Sequence, residues 1–140
     1  MRGSHVLKTW CSSQATVALS SAEAELVAAV RGAAEGLSAR SLSQDLTGSY
    51  CQLRVHIDSS AAIGICKRSG IGKIRHLDTR LLWIQDLVRD GTINVLKVAG
   101  TINPADLMTK HLGAEEISAN LTRLGCWERE GRAQSAPMCR

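Results

Sequence analysis

The stretch Leu53-Arg54-Val55-His56-Ile57-Asp58-Ser59-Ser60 decides which fold this sequence predicts. Its first five residues alternate between apolar and polar side chains, which is the pattern of a strand that buries one face. Asp58-Ser59-Ser60 then ends the strand and opens a short helix, which we expect over residues 61–67. The segment therefore predicts a strand followed directly by a helix, as in sheets that are covered by helices.

Further helices and strands are predicted on both sides of this strand. Extended segments are predicted over Val6–Trp10 and Ala15–Leu19, and a capping box at Ser20–Glu23 opens a helix to about Leu46. An amphipathic helix is predicted over Leu77–Val88, which stops at Asp90-Gly91. A strand is predicted over Ile93–Val98, and a last helix starts at Asn103-Pro104. This order predicts an α/β fold with a mixed central sheet and flanking helices. We expect a ragged N-terminus over residues 1–5, one domain over residues 6–125, and a polar, disordered tail over residues 126–140.

Composition narrows the class of protein. The chain has 140 residues, 44% of them hydrophobic, a net charge of +4 and five cysteines. This length suits one compact domain, and a basic balance favours an anionic partner without requiring one. The cysteines show neither paired nor zinc-ligand spacing, which predicts reduced thiols. With no apolar run of membrane-spanning length and no secretory signal, we expect an intracellular protein, cytoplasmic or nuclear.

Three carboxylates stand where chemistry could use them. Glu25 lies in the first turns of the first long helix, Asp58 ends a strand, and Asp106 lies in the first turn of the last helix. Carboxylates that converge would bind divalent cations such as Mg²⁺, and two such ions can drive phosphodiester hydrolysis. Each residue also has a structural explanation, because acids stabilise helix N-termini and Asp58 could simply cap the helix after it.

A basic, glycine-containing segment lies between two predicted helices. It contains Lys67, Arg68, Lys73 and Arg75, and it is followed by His76. Such a segment could contact phosphates, although a solvated loop explains the charges equally well. His76 could position substrate or cap the next helix. Trp83 lies among apolar residues and is predicted to belong to the core.

Five motifs in order resemble the ribonuclease H domain of copia-type retrotransposon Pol polyproteins. They cover roughly residues 6–125 and read Trp10-Cys11-Ser12-Ser13, Thr16-Val17-Ala18-Leu19-Ser20-Ser21-Ala22-Glu23-Ala24-Glu25, Ile57-Asp58, Lys73-Ile74-Arg75-His76-Leu77-Asp78 and Pro104-Ala105-Asp106-Leu107-Met108-Thr109-Lys110. The resemblance implies a ribonuclease H-like fold and hydrolysis of the RNA strand of RNA–DNA hybrids with two Mg²⁺ or Mn²⁺ ions. It implies Glu25, Asp58 and Asp106 as catalytic metal ligands, with Glu23 left as the capping residue.

The resemblance also implies a departure from the family. The first catalytic aspartate of the family lies on a strand ahead of the Trp-Ser-Ser entry, where this chain has nine residues and none of them is acidic. We therefore expect an N-terminally truncated fold with three of the four catalytic carboxylates. The expected partners are RNA–DNA hybrid and the upstream reverse transcriptase region of the same polyprotein. The alternative is a non-catalytic remnant that binds nucleic acid or another partner.

Overall fold

The computed structural model describes residues 1–126 except positions 2, 4, 16 and 73–78. The predicted tail from residue 127 onward therefore lies outside the described residues, as do Lys73, Arg75 and His76. The chain forms two compact units. The larger unit is Ser13–Thr101, and the smaller unit combines Met1–Ser12 with the segment that starts at Ile102. The domain bounds predicted from the sequence stay a prediction.

The larger unit begins with a long helix, α1, over Ser21–Thr47. At its start, the Ser20 hydroxyl accepts a hydrogen bond from the backbone N–H of Glu23 at 3.2 Å. The Glu23 carboxylate in turn accepts from the N–H of Leu19 at 2.8 Å. Two backbone donors at the helix end are thereby satisfied, so the predicted capping box is confirmed with a one-residue shift of its return bond. Gly48, with φ 65°, ends the helix.

Two parallel strands form the sheet of the larger unit. Strand β1 spans Leu53–Ile57 and strand β2 spans Ile93–Lys97, so both predicted strands are confirmed to within one residue. They pair in register, with Leu53 beside Ile93 and Ile57 beside Lys97. The N–H of Val98 donates to the carbonyl of Ile57 at 3.0 Å and extends the ladder. The structure is therefore an α/β arrangement.

The connection between the strands is helical, because parallel strands need a crossover that returns the chain to the same end of the sheet. Helix α2 spans Ser60–Lys67. A 3₁₀ turn over Thr79–Leu82 leads into helix α3, over Trp83–Arg89. Gly91, with φ 76°, follows the end of α3, as the sequence predicts.

The core lies between one face of the sheet and the three helices. Fully or nearly fully buried are Leu26, Ala29 and Ala33 of α1, Ile57 of β1, Ala62, Ile65 and Cys66 of α2, Ile84 of α3, and Ile93 and Val95 of β2. Trp83 packs against this cluster, which confirms its predicted place in the core. The opposite side chains of β1, Arg54 and His56, are exposed, as the alternation predicts.

The smaller unit contains a second pair of helical elements. A 3₁₀ turn spans Pro104–Met108, and the side-chain oxygen of Asn103 accepts from the N–H of Ala105 at its start, which confirms the predicted cap. Helix α4 follows separately, over Ala114–Arg123. The Glu116 carboxylate accepts from the N–H of Gly113 at 3.1 Å and caps this helix.

Two expectations from the sequence are wrong in detail. Residues 6–10 and the described residues of 15–19 form no strand, and Val17 is 89% exposed. Leu7 and Leu19 are also largely exposed. An apolar composition alone therefore does not make these segments strands. The last helix is also interrupted, because the N–H groups of Thr109 and Lys110 both donate to the carbonyl of Asp106 and close the turn there. Both described strands are parallel, so a sheet of mixed direction stays a prediction.

The close approach of α1 to β1 gives a test of the packing. A Cβ placed on Gly36 would lie 2.6 Å from Cδ1 of Leu53. In a Leu53→Ala background, Gly36→Ala should stabilise the protein by about 1 kcal/mol, because alanine is the better helix former. In the native background the steric clash should remove most of that gain or reverse it. Urea unfolding of the four proteins should give a coupling free energy on the order of 1 kcal/mol. An equal effect of Gly36→Ala in both backgrounds would show that Leu53 does not constrain the helix.

The buried thiol of Cys66 should make stability depend on pH. Burial removes it from water and raises its pKa to about 11, with its own backbone hydrogen bond lowering the pKa in part. An unfolded thiol titrates near a pKa of about 8.5. The protonated thiol therefore stabilises the fold below that pH, and this contribution disappears as the pH rises toward 11. Between pH 8 and pH 10.5, the free energy of unfolding should fall further in the native protein than in Cys66→Ala. The matched control is Cys11→Ala, which removes an exposed thiol. The free energy of unfolding of this variant should change with pH as that of the native protein does.

Candidate functional site

Asp58 lies at the carboxyl end of β1, directly before α2. The residue that caps α2 is its neighbour Ser59, whose hydroxyl accepts from the N–H of Ala62 at 3.2 Å. The interpretation of Asp58 as a simple helix cap is therefore wrong. Ligands of α/β proteins bind at the carboxyl ends of parallel strands, so Asp58 stands at the edge where a functional carboxylate is expected.

Lys97 connects the end of β2 to the turn that carries Asp58. Its ammonium donates to the backbone carbonyl of Asp58 and, at 2.9 Å, to the hydroxyl of Ser60. Because Lys97 pairs with Ile57 at the last position of the ladder, its side chain can reach over the start of α2. The two strand ends and the helix start are thus joined by one side chain, which the sequence patterns did not reveal.

Glu25 belongs to the same unit as Asp58, on the exposed side of α1. The adjacent residue, Leu26, is fully buried in the core and fixes the rotation of the helix at this point. Glu23 caps the helix, which confirms the capping role predicted for it. A catalytic role for Glu25 stays a prediction.

Asp106 belongs to the smaller unit and is nearly buried. Its side chain is only 13% exposed, and its Oδ2 atom lies 2.8 Å from Nζ of Lys110, which is 54% exposed. A buried carboxylate requires such a partner because its charge is otherwise costly to remove from water. The two residues are four apart, and the tight turn after Met108 places them side by side.

These carboxylates can be compared with what a metal centre requires. Each offers the hard oxygen atoms that Mg²⁺ prefers. Among residues 1–72 and 79–126, apart from the three single undescribed positions, no group of three or more His, Cys, Asp or Glu side chains could hold a metal ion. Asp106 already accepts from an ammonium. Asp106 belongs to the smaller unit, whereas Glu25 and Asp58 belong to the larger one. A metal site shared by the three carboxylates stays a prediction.

The basic segment is described as far as Gly72. Lys67 is exposed in the last turn of α2, where a cation is favourable. Arg68 is half-buried, and its guanidinium donates to the carbonyl of Ile71 within the same loop. Gly72 has a φ of 66°, a conformation that favours glycine. Phosphate binding by Lys67 and Arg68 stays a prediction, and so does the role of Lys73, Arg75 and His76, which lie outside the described residues.

The side chain of Gln85 binds the backbone of this loop, a role that the sequence patterns did not indicate for this residue. It is 6% exposed on the inner face of α3. Its Nε2 atom donates to the carbonyls of Ile65 at 2.8 Å and Gly70 at 3.0 Å, and its Oε1 atom accepts from the N–H of Gly70 at 2.9 Å. A polar residue within the apolar stripe of a predicted helix was the available signal, because a buried amide needs partners.

The fold and this carboxyl edge define an α/β protein with a polar strand end. A basic loop follows the other end of α2. Over 98 residues, or 69% of its length, the chain is 37% identical to the retrovirus-related Pol polyprotein from transposon TNT 1-94 of Nicotiana tabacum. The matched region is 7% of that polyprotein. The chain therefore belongs to the retrovirus-related Pol polyproteins of transposons.

Other comparisons add nothing to this assignment. The chain matches no model of a known protein family, and no solved structure matches it.

In the part of the chain that the structure describes, none of the helices has the length and apolar character needed to cross a membrane.

Proposed function

We propose that this chain derives from the ribonuclease H domain of a retrotransposon Pol polyprotein and binds RNA–DNA hybrid. The proposal includes the family's ribonuclease H-like fold with a sheet of mixed direction. It assigns catalytic roles to Glu25, Asp58 and Asp106, together with a requirement for Mg²⁺ or Mn²⁺. It also names Lys67, Arg68, Lys73, Arg75 and His76 as contacts to the nucleic acid, and the upstream reverse transcriptase region as a partner.

The observation that carries the proposal is the position of Asp58 in a chain of Pol polyprotein origin. Asp58 ends one of two parallel strands, at the edge of the sheet where α/β proteins bind their ligands. The family motif requires an aspartate at the end of a strand, and the residue that caps the following helix is Ser59. Asp58 therefore has a position that a plain capping role does not explain.

Binding without cleavage is the second candidate for this chain. It is favoured by the ion pair between Asp106 and Lys110, because this carboxylate already has a cationic partner. Hybrid binding relies on phosphate contacts and is compatible with both candidates. We therefore test binding first and cleavage separately.

The basic segment should account for hybrid binding. Replacing Lys67, Arg68, Lys73 and Arg75 by Gln should weaken binding to a labelled RNA–DNA hybrid. It should also flatten the dependence of log K on log salt, by roughly 0.7–0.9 for each phosphate that is no longer neutralised. Fluorescence anisotropy at several salt concentrations measures both quantities.

A charge-matched control separates the segment from overall charge. Lys8, Arg31, Arg89 and Arg123 lie elsewhere in the sequence, and their replacement by Gln lowers the net charge by the same amount. We expect this variant to retain most of the affinity and slope. If the two variants lose affinity equally, the basic segment is not the interface.

Cleavage should require sequence upstream of the matched region. We expect the 140-residue chain to cleave hybrid RNA weakly or not at all, because the family's first catalytic aspartate has no counterpart before Trp10. A chimera that adds the segment immediately preceding the matched region in the tobacco polyprotein should cleave, and only with Mg²⁺ or Mn²⁺. Gel assays on a labelled hybrid measure the products.

Asp58→Asn in the chimera tests the assigned carboxylate. This variant should abolish cleavage while the protein still folds and still binds hybrid. Vigorous cleavage by the 140-residue chain would show that the upstream aspartate is dispensable. An inactive chimera that binds hybrid would instead favour the binding function.

A further inference from the structure

A buried amide, the side chain of Gln85, binds the loop that follows α2 at Gly70. The Gln85 side chain makes one hydrogen bond to the carbonyl of Ile65, in α2, and two to Gly70, in the loop. The contacts to Gly70 use both its N–H and its C=O, so the side chain binds this peptide backbone as a neighbouring strand would. Gln85 thereby sets the position of the chain just after Arg68.

The residues of the loop do not by themselves fix the backbone conformation at Gly70. Gly70 and Gly72 both have positive φ values, of 76° and 66°, and glycine is the residue that also visits many other conformations at low cost. Gly70 is exposed, and a Cβ placed on it would meet nothing within 4 Å, so packing does not hold it in place. At the next residue, Ile71 packs against the core and its carbonyl accepts from the Arg68 guanidinium. For Gly70 itself, the described restraint is the pair of hydrogen bonds with the Gln85 side chain.

We propose that Gln85 is a positioning residue for nucleic-acid binding, which holds residues 68–72 in their binding conformation before the hybrid arrives. This inference rests on the proposed function, because it assumes that the loop contacts phosphates. Gln85 itself is buried beneath the loop and donates nothing to the ligand. Its effect is to lower the cost of ordering Lys67 and Arg68 on binding.

A positioning role differs from a charge contact in one measurable way. Loosening the loop reduces the fraction of molecules in the competent conformation, and the apparent Kd rises in inverse proportion to that fraction. The bound complex still makes the same phosphate contacts, so the salt slope does not change. Removing a basic side chain, by contrast, lowers affinity and flattens the slope together.

The experiment compares two ways of loosening the loop in the 140-residue chain. Gln85→Met keeps the size of the side chain and removes its hydrogen bonds. Gly70→Ala strains the loop backbone because φ is positive at this position. The position is exposed, so the change does not touch the core. Matched controls are Gln44→Met, at an exposed glutamine of α1, and Gly48→Ala, at an exposed glycine that also has positive φ.

Anisotropy with labelled hybrid is measured across a salt series, well below the unfolding temperature of each variant. Both loop variants should bind about tenfold more weakly if the loop is ordered in roughly one molecule in ten, with an unchanged salt slope. Both controls should bind as the native chain does. Amide exchange of Gly70 should accelerate in Gln85→Met, which shows that the loop has opened.

Each outcome bears on one proposal. Native affinity in Gly70→Ala and in folded Gln85→Met overturns the positioning role, while loss of binding in the four-glutamine variant still upholds the proposed function. A flattening of the salt slope like that of the four-glutamine variant also overturns it, because the bound complex would then neutralise fewer phosphates. If the native chain does not bind hybrid, the proposed function fails and this inference fails with it.

Discussion

The parallel pairing of β1 with β2 is the constraint on which the larger unit depends. Two strands that run in the same direction cannot be joined by a tight turn, so the chain must cross over between them and cover the sheet as it returns. Helices α2 and α3 lie in that crossover, and α1 completes the layer. The buried side chains of both strands, such as Ile57 and Val95, pack into the core that these helices close.

The same pairing concentrates polar groups at one edge. Parallel strands end on the same side of the sheet, which brings the carbonyl end of β1, the start of α2 and the last residue of β2 together. Lys97 joins them through the Asp58 carbonyl and the Ser60 hydroxyl. A carboxylate at this edge is held by backbone that two elements restrain, which is the preorganisation that a functional site needs.

Two buried polar side chains fix the local geometry around them. Gln85 interrupts the apolar face of α3, and Asp106 is nearly buried in a turn of the smaller unit. Each is satisfied by partners on the described chain: backbone atoms of Ile65 and Gly70 for Gln85, and Lys110 for Asp106. Since an unsatisfied buried amide or carboxylate would be costly, these bonds fix the local geometry around them.

The sequence by itself determined the elements whose signals are local. Alternation in Leu53–Ile57 places β1, the Ser20 and Glu23 pair opens α1, and Gly48 closes it, because side-chain spacing and capping act within a few residues. Only the tertiary structure decided that residues 6–10 form no strand and that Ser59 is the cap beside Asp58. It also decided which groups Gln85 and Lys97 bind. Their partners depend on where the chain returns in space, and residue spacing carries no record of that.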